Sequence, residues 1–415
     1  LGEVPAEWAL RQAGQLADQT KVPNEGMIET NLLSLSYGKV KRRDINATDG
    51  LLPASFETYN VIEPNDIVLR FTDLQNDQKS LRVGRATERG IITSAYVTVR
   101  PFNPSYSRFM YYALHAYDLR KGFYGMGAGV RQGLKWQEAK YIKLPWPDDA
   151  ERDRIADFLD EKCVEIDRAI SAAEQSIEEY RAYQNDVVKR AIVYGTCNAF
   201  KVKESGVPAI GKMNASWGLV MVKRLAVFLN GDRSDSYPSG DDIQEAGIPF
   251  ITSGDLNGRY LPDVFSKYIS QDKYDSLKGV KLRRGDVAFC LRGSVGKCSL
   301  NRTENCGTVA SSLTVARPIC CAPEWLSYAL TCSSTTNQAM ATAIGATSAN
   351  LAANVLARAF VPLPPLSEQC LIADYLDEKC TQIDAAIAAK QAIIADLKAY
   401  KQSLIYETVT GKREV

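Results

Sequence analysis

An internal repeat restricts the folds open to this chain more than any other feature of its sequence. Residues 155–167 read IADFLDEKCVEID and residues 372–384 read IADYLDEKCTQID, so ten of thirteen positions are identical at an offset of 217. The segment YVTVRP at 96–101 likewise resembles LTVARP at 313–318. A repeat at a fixed offset indicates duplicated structural units. The 415 residues are therefore predicted to form two copies of one unit, each a globular block of about 150 residues followed by a long helix.

Heptad periodicity predicts that the two helices pair with each other. Two apolar positions recur in each heptad over several heptads, which is typical of a coiled-coil seam. Lys390 and Lys401 interrupt the second seam and could set its register. The alternative is that each helix packs only on its own block, but two matched seams in one chain favour mutual pairing. The predicted seam residues are Leu159, Ile166, Ile170 and Ile177 in the first helix, and Leu376, Ile383, Ile387 and Ile394 in the second.

The blocks between the helices are predicted to be α+β. Runs rich in β-formers at 91–100 and 309–317 alternate with turn residues, and short helices are expected near 107–116 and 323–332. The fold class is thus α+β, with two mixed blocks alternating with two long helices. The predicted segments are block 1 at 1–150, the first helix at 151–196, block 2 at 197–361 with an entry linker at 197–212, and the second helix at 362–415.

Composition excludes several classes of site. A single histidine, His115, rules out Ser-His-Asp triads and zinc sites that need two histidines. Ten irregularly spaced cysteines do not form a disulfide framework, so a reduced, cytoplasmic compartment is expected. No apolar run reaches the length of about 20 residues that a membrane span needs. No membrane association is therefore expected.

Charge is unevenly distributed, although 50 Lys and Arg nearly balance 49 Asp and Glu. The two blocks carry net charges of +2 and +5, whereas the two helical segments carry −4 and −2. Clustered cations on such blocks suit contact with nucleic-acid phosphates, although any one cluster is more often a solvated face. Residues 292–297 (RGSVGK) combine two glycines, which allow close backbone approach, with donors at both ends. The candidate DNA-contacting residues are Lys39, Lys41, Arg42, Arg43, Arg82, Arg85, Gln132, Lys135, Arg259, Arg283, Arg284, Arg292, Ser294, Lys297, Ser348 and Asn350.

Motifs that resemble catalytic sites fail when their context is considered. The segment GVPAIGKM at 206–213 has the spacing of a phosphate-binding loop, but Met213 stands where a hydroxyl must hold magnesium. Asp160, Glu161 and Lys162 resemble nuclease residues, yet they lie on a coiled-coil helix and are interpreted as a solvated face. The sequence therefore predicts a chain with no catalytic residues and no metal site of its own.

Several motifs together carry a resemblance to a known family. They are the two helices, the segment PLPPLSEQ at 362–369, TSGDL at 252–256, RGSVGK at 292–297 and TGK at 410–412. With the repeat, they resemble the specificity subunit of type I restriction-modification enzymes over essentially the whole chain. The first copy departs from the pattern, because LPWPDDAER at 144–152 replaces the PPLSEQ form. This change could alter how the first helix meets its partner.

The resemblance implies a division of labour among subunits. Each block would be a target recognition domain that reads one half of a bipartite, asymmetric site in double-stranded DNA. The helices would be conserved spacers that pair antiparallel and dock two methyltransferase (modification) subunits. The family would hold no cofactor on this chain: S-adenosylmethionine, ATP and Mg would belong to the modification and restriction subunits.

Two other interpretations remain open from the sequence. The chain could be the specificity module of a fused restriction-modification enzyme, or a coiled-coil scaffold that binds protein and not DNA. Whether the basic clusters of both blocks face one side distinguishes a DNA reader from a scaffold.

Overall fold

The computed structural model describes residues 2–46, 52–53, 55–74, 76–77, 80–126, 133–197, 201–304, 307–342 and 351–415. The chain divides into two compact units. Unit 1 comprises Leu1–Glu174 and Gln391–Val415, and unit 2 comprises Gln175–Lys390. The boundaries fall inside both long helices, so each unit contains one half of each helix.

The first block contains short strands and two helices. Its strands are β1 (Ala9–Gln12), β2 (Ala17–Thr20), β3 (Leu33–Ser36), β4 (Lys39–Arg42), β5 (Asn60–Ile62), β6 (Ile67–Leu69), β7 (Val83–Arg85), β8 (Gly90–Ile92), β9 (Val97–Pro101) and β10 (Lys143–Trp146). Its helices are α1 (Tyr106–Leu119) and α2 (Trp136–Ala139), with 3-10 turns at Ala13–Gln15, Glu25–Met27 and Gly122–Gly125. The first long helix, α3, follows at Asp149–Tyr194.

The second block repeats this order with additions. Its strands are β11 (Val202–Glu204), β12 (Lys212–Asn214), β13 (Gly218–Met221), β14 (Ala226–Asn230), β15 (Ile248–Ile251), β16 (Tyr268–Ile269), β17 (Val287–Cys290), β18 (Cys298–Leu300), β19 (Thr308–Val309), β20 (Leu313–Pro318) and β21 (Phe360–Leu363). Its helices are α4 (Gln271–Ser276), α5 (Pro323–Thr331), α6 (Ser333–Thr342) and α7 (Ala353–Ala357), with 3-10 turns at Val222–Arg224 and Gly240–Asp242. The second long helix, α8, spans Leu366–Val409.

Both blocks are built on the same antiparallel sheet. The strand order is β2-β9-β6-β7 in unit 1 and β14-β20-β17-β18 in unit 2. These strands form because short runs of buried apolar residues, such as Ile67–Leu69 and Val287–Cys290, end at turn residues. In each block a further antiparallel pair, β1-β10 or β13-β21, joins the start of the block to the strand that enters the long helix.

The element boundaries follow the sequence repeat. Tyr106, Lys143 and Asp149 begin α1, β10 and α3, and the residues 217 positions later begin α5, β21 and α8. The ion pair within each sheet is also shared. Arg100 binds both carboxylate oxygens of buried Asp66 at 2.8 Å, and the equivalent Arg317 binds Asp286 at 2.8 and 2.7 Å.

Seam positions of the long helices are buried as predicted, except that Ile387 is half-buried. Within unit 1, Lys401 Nζ of α8 lies 2.7 Å from Asp167 Oδ1 of α3. Within unit 2, Gln184 Nε2 of α3 donates to Asp384 Oδ1 of α8 at 2.9 Å. Each unit therefore brings together residues from the two helices, and Lys401 interrupts the seam with an ion pair.

Two details of the blocks differ from the sequence-based expectation. The predicted run at 91–100 is two strands in different sheets, β8 and β9, because Tyr96 N–H bonds to Thr93 O at 3.1 Å in a turn between them. The linker predicted at 197–212 contains a hairpin strand: β11 pairs with β12, and Ser205 N–H donates to Gly211 O at 2.9 Å.

Candidate nucleic-acid interface

The turn at residues 292–297, called the reading turn below, joins β17 to β18 and points into solvent. Gly293 and Gly296 have φ values of 76° and 94°, and a Cβ at either position would meet no atom within 4 Å. These glycines are required by their left-handed backbone. The side chains of Arg292, Ser294 and Lys297 are exposed. The turn therefore presents two cations and a hydroxyl, with open space around its backbone.

Further basic residues of block 2 lie before β17. Arg283 and Arg284 are exposed, and Arg284 lies 3.6 Å from Glu304 in a surface ion pair. The backbone N–H of Arg283 donates to Asp286 at 2.8 Å, which leaves its side chain outside the turn. Such surface pairs contribute little to stability, so these side chains can exchange partners.

The hairpin of β3 and β4 carries the basic cluster of block 1. Lys39 pairs with Asp167 of α3, and Arg42 Nε donates to Glu88 Oε2 at 2.7 Å. The hydrogen bond that Arg42 donates to Glu88 raises the pKa of Arg42 above its ordinary value. Lys41 is exposed, and the backbone of Arg43 bonds to Leu32 O at 2.8 Å. Lys39 and Arg42 are therefore engaged by carboxylates in this structure.

The prediction that Arg82 contacts DNA is wrong for the folded chain. Its side chain has no exposed surface, and the guanidinium donates to carbonyl oxygens of Arg70 at 3.0 Å and Thr72 at 2.8 Å. It also lies over the ring of Tyr124. Arg82 therefore organises the loop between β6 and β7, because a buried cation must have its donors satisfied.

Arg259 was also predicted to contact DNA, but its side chain is directed to α8. Its Nε donates to Asp377 Oδ1 at 2.8 Å, Nη2 donates to Glu324 O at 2.7 Å, and the guanidinium lies 3.8 Å from the ring centre of Tyr328. Burial lowers the pKa of Arg259, but the neighbouring Tyr328 hydroxyl and the hydrogen-bonded carboxylate of Asp377 together raise it above its ordinary value. The residue anchors a loop on a helix, so the predicted contact is corrected.

The remaining candidates fall into two groups. Arg85 is half-buried, with Nη1 3.4 Å from Asn65 Oδ1, and Lys135 is exposed at the start of α2. Three further candidates lie outside the described residues: Gln132, Ser348 and Asn350.

Asp160 was expected to lie on a solvated face, but it and its equivalent Asp377 accept hydrogen bonds from the blocks. Asp160 accepts bonds from Tyr112 Oη at 2.7 Å and Arg108 Nε at 2.8 Å. Asp377 accepts from Tyr328 Oη at 2.7 Å. Burial raises the pKa of Asp377, but hydrogen bonds from Tyr260, Arg259 and Tyr328 together lower it below its ordinary value. The sequence signal for this role is that the same acid, aspartate, stands at equivalent positions of both copies.

Arg152 stands where the second copy has Gln369, but the two side chains make equivalent hydrogen bonds. Gln369 Nε2 donates to Pro364 O at 2.9 Å, five residues earlier. Arg152, 217 positions before Gln369, donates from Nη1 to Pro147 O at 2.7 Å, also five residues earlier. Both side chains are buried. The first turn of each long helix is therefore fixed by the same bond.

Unit 2 also contains a cleft of about 590 Å³. Arg259, Arg302, Asp377 and Asp384 line it, so positive and negative groups balance. Among the described residues no group of three or more His, Cys, Asp or Glu side chains could hold a metal ion, and no helix there is long and apolar enough to cross a bilayer.

Part of the chain matches a known protein family. Residues 220–399 match the family described as type I restriction modification DNA specificity domain. A segment of 63 residues is 36% identical to the type I restriction enzyme EcoBI specificity subunit of Escherichia coli. The chain is similar to the type I specificity subunits, and residues 220–399 match their DNA specificity domain. The EcoBI segment covers 15% of this chain and 13% of that relative.

One solved structure shares the fold of this chain. One chain, from a structure titled for complex assembly and conformational transition of the type I R-M system, superposes with a TM-score of 0.70 at 16% identity and covers 100% of both chains. The HsdS subunit from Thermoanaerobacter tengcongensis gives a TM-score of 0.48 at 17% identity, with 99% of each chain covered.

Proposed function

We propose that this chain is the DNA-reading subunit of a type I restriction-modification complex and that it is not itself a catalyst. Each block would read one half of a bipartite, asymmetric target. The observation that carries the proposal is the duplicated unit, in which the same sheet is attached to the long helices through equivalent carboxylates, Asp160 and Asp377. Two equivalent readers in one chain suit a target with two separate halves.

The exposed cations of each block provide the chemistry for DNA contact. In block 2, Arg292 and Lys297 flank a turn with open space above its backbone. In block 1, Lys41 lies on a hairpin strand beside Lys39 and Arg42. Lysine and arginine contact phosphates, and arginine or lysine also binds the acceptor edge of guanine in the major groove. The reading turn is therefore the best candidate for base contact in block 2.

The long helices would act as a spacer and as a docking surface. The four segments 1–150, 151–196, 197–361 and 362–415 would be a recognition domain, a spacer, a recognition domain and a spacer. The bonds Lys401–Asp167 and Gln184–Asp384 support antiparallel pairing of the helices as a coiled coil. The partners would be two methyltransferase subunits, which supply S-adenosylmethionine, and restriction subunits, which supply ATP hydrolysis with Mg.

A block exchange tests this function. Residues 1–150 are replaced by the same block of a relative that has a different target, and the chimera is co-expressed with the modification subunit of its own system. Methylation mapping should show that one half of the target changes while the other half stays the same. A change in both halves, or in neither, would contradict two independent readers.

Binding to DNA is tested separately from methylation. The full chain is titrated with a duplex that contains the mapped target and with a scrambled duplex, at several salt concentrations. Affinity should fall with salt for both duplexes, because phosphate contacts release counterions, and the target should bind more tightly throughout. Equal affinity for both duplexes would favour a scaffold without sequence recognition.

A further inference from the structure

Residues 252–261, called the anchor loop below, form a rigid segment beside the reading turn. The buried carboxylate of Asp255 accepts the backbone N–H and the hydroxyl of Thr252, both at 2.8 Å, and the N–H of Ser266 at 2.9 Å. Burial raises the pKa of Asp255, but these hydrogen bonds bring it below its ordinary value. The loop is thus closed on itself before it reaches the turn.

The anchor loop holds the last residue of the reading turn and the strand that follows. Asn257 Oδ1 accepts a bond from Lys297 Nζ at 2.9 Å. Gly258 O accepts a bond from Ser299 Oγ at 2.6 Å. The same loop therefore accepts hydrogen bonds from the Lys297 ammonium group and from the strand that follows. These two bonds orient the lysine side chain relative to the sheet.

The other end of the anchor loop is fixed to the second long helix. Arg259 binds Asp377 and stacks on Tyr328, as described above. Only one residue separates this anchor from the amide that holds Lys297. The anchor loop therefore orients the Lys297 side chain relative to α8 as well as to the sheet of block 2.

The acceptor that holds Lys297 is neutral, which distinguishes it from the acceptors in block 1. Lys39 and Arg42 are paired with the carboxylates of Asp167 and Glu88, and such pairs offset the cation's charge. An amide oxygen orients the ammonium without cancelling its charge. A long lysine stem otherwise loses rotamer freedom when it binds, so orientation in advance lowers the cost of binding.

We infer that Asn257 is a positioning residue that presents the Lys297 ammonium, with its charge intact, to a DNA phosphate or base edge. This inference rests on the proposed function and names a residue that acts on DNA through another. Arg259 supports it by fixing the loop to α8, and does not itself reach DNA.

The substitution Asn257→Asp separates orientation from charge. It keeps the shape and the acceptor oxygen but turns the hydrogen bond into an ion pair. The fold should be as stable as the wild type or slightly more stable, whereas binding to duplex DNA should weaken about tenfold. The dependence of affinity on salt should also lose about one phosphate contact, as in Lys297→Ala. A residue with only a structural role would not improve stability while weakening binding.

The experiment measures binding of the full chain to a duplex selected from a random pool by the wild-type chain. The variants are Asn257→Asp, Asn257→Ala, Lys297→Ala and the double variant Asn257→Asp/Lys297→Ala. Asn337→Asp is the matched control, because Asn337 is an exposed amide on α6 of the same unit. Asn257→Ala should weaken binding a few-fold, and the double variant should bind no more weakly than Lys297→Ala.

Three outcomes would overturn the inference. Asn257→Asp could bind DNA as well as Asn337→Asp, its effect could add fully to that of Lys297→Ala, or Lys297→Ala could bind like the wild type. In each case the wild-type chain would still bind its duplex, so the proposed function would stand. If the wild-type chain selected no duplex at all, the proposed function itself would fail, and the inference with it.

Discussion

Asp160 and Asp377, 217 positions apart, accept the same bond in their two units: each takes a tyrosine hydroxyl at 2.7 Å, from Tyr112 and from Tyr328. Each also accepts an arginine Nε at 2.8 Å, but the arginines come from different elements. Arg108 lies on α1, whereas Arg259 lies in the anchor loop. Both units therefore attach a block to a long helix through a tyrosine–carboxylate bond, but the arginine that also donates to the carboxylate comes from a different element in each unit.

Removal of either carboxylate should destabilise the unit that contains it. In Asp160→Ala one tyrosine hydroxyl and a guanidinium lose an acceptor, and in Asp377→Ala two tyrosine hydroxyls and a guanidinium do. The free energy of unfolding should therefore fall by about 1–3 kcal/mol. Urea denaturation measures the loss, and amide hydrogen exchange shows which unit opens. Asp374→Ala is the control, since Asp374 is exposed on the same helix as Asp377. A loss equal to the control's would show that the tyrosine–carboxylate bonds are not needed.

The Gln184–Asp384 bond should be convertible into the ion pair of the other unit. Gln184 corresponds to Lys401, and Asp384 corresponds to Asp167, at the offset of 217. Gln184→Lys should therefore stabilise unit 2 by up to ~1 kcal/mol, because ion pairs with exposed partners contribute no more than that. The gain should shrink in high salt. Thermal unfolding at low and high salt checks both points, and a gain unaffected by salt would contradict the ion pair.

Two buried groups of α1, His115 and Asp118, should have opposite effects on the free energy of unfolding as the pH falls. Burial, and to a lesser degree the charge of Lys401, lowers the pKa of His115 to about 4, whereas burial raises the pKa of Asp118 to about 6. As pH falls from 6.5 towards 4, unfolding allows His115 to take up a proton, so stability is lost. As pH falls from about 6 to 3.8, folded Asp118 holds a proton that the unfolded chain lacks, so stability is gained. The two effects largely cancel.

Replacing either His115 or Asp118 should reveal the effect of the other on the pH dependence of stability. Asp118→Asn should make the free energy of unfolding fall, relative to the wild type, by on the order of 2–3 kcal/mol between pH 7 and pH 4. His115→Phe should give the opposite slope over that range. Urea titrations at several pH values measure both, and comparison with the wild type removes the effect of other titrating groups. Parallel curves for the three proteins would contradict the assignment.

The proposed spacer role predicts a change in target spacing. Deleting one heptad from each helix, residues 170–176 and 387–393, keeps the seams in phase and removes about 10 Å of helix. The unread gap in the methylated target should shorten by roughly three base pairs at ~3.4 Å per pair, with the bases read in each half unchanged. Methylation mapping after co-expression with the modification subunit measures this. A folded variant that methylates the original target would show that the helices do not set the gap.

The long helices and the repeat were predictable because heptads and a duplicated segment are local signals. Burial of Leu159 and Leu376 followed directly from their seam positions. The roles of Arg82 and Arg259 were not predictable, because a basic residue in sequence does not reveal whether carbonyl groups will surround it. Asn257 was missed for the same reason: its role depends on Lys297, which lies 40 residues away in sequence.

The division of each long helix between the two units means that the sequence repeat and the folded unit are out of phase. The end of α3 belongs to unit 2, where a Cβ at Gly195 would lie 3.1 Å from the Trp217 ring. The end of α8 belongs to unit 1, where Gly411 lies near Trp8. The two copies thus exchange helical halves reciprocally, as protomers do in a domain-swapped dimer. A polypeptide cut down to the first repeat would lack Gln391–Val415, which completes its own unit. We expect such a fragment to self-associate, so that the helix end of a second identical molecule takes the place of the missing segment.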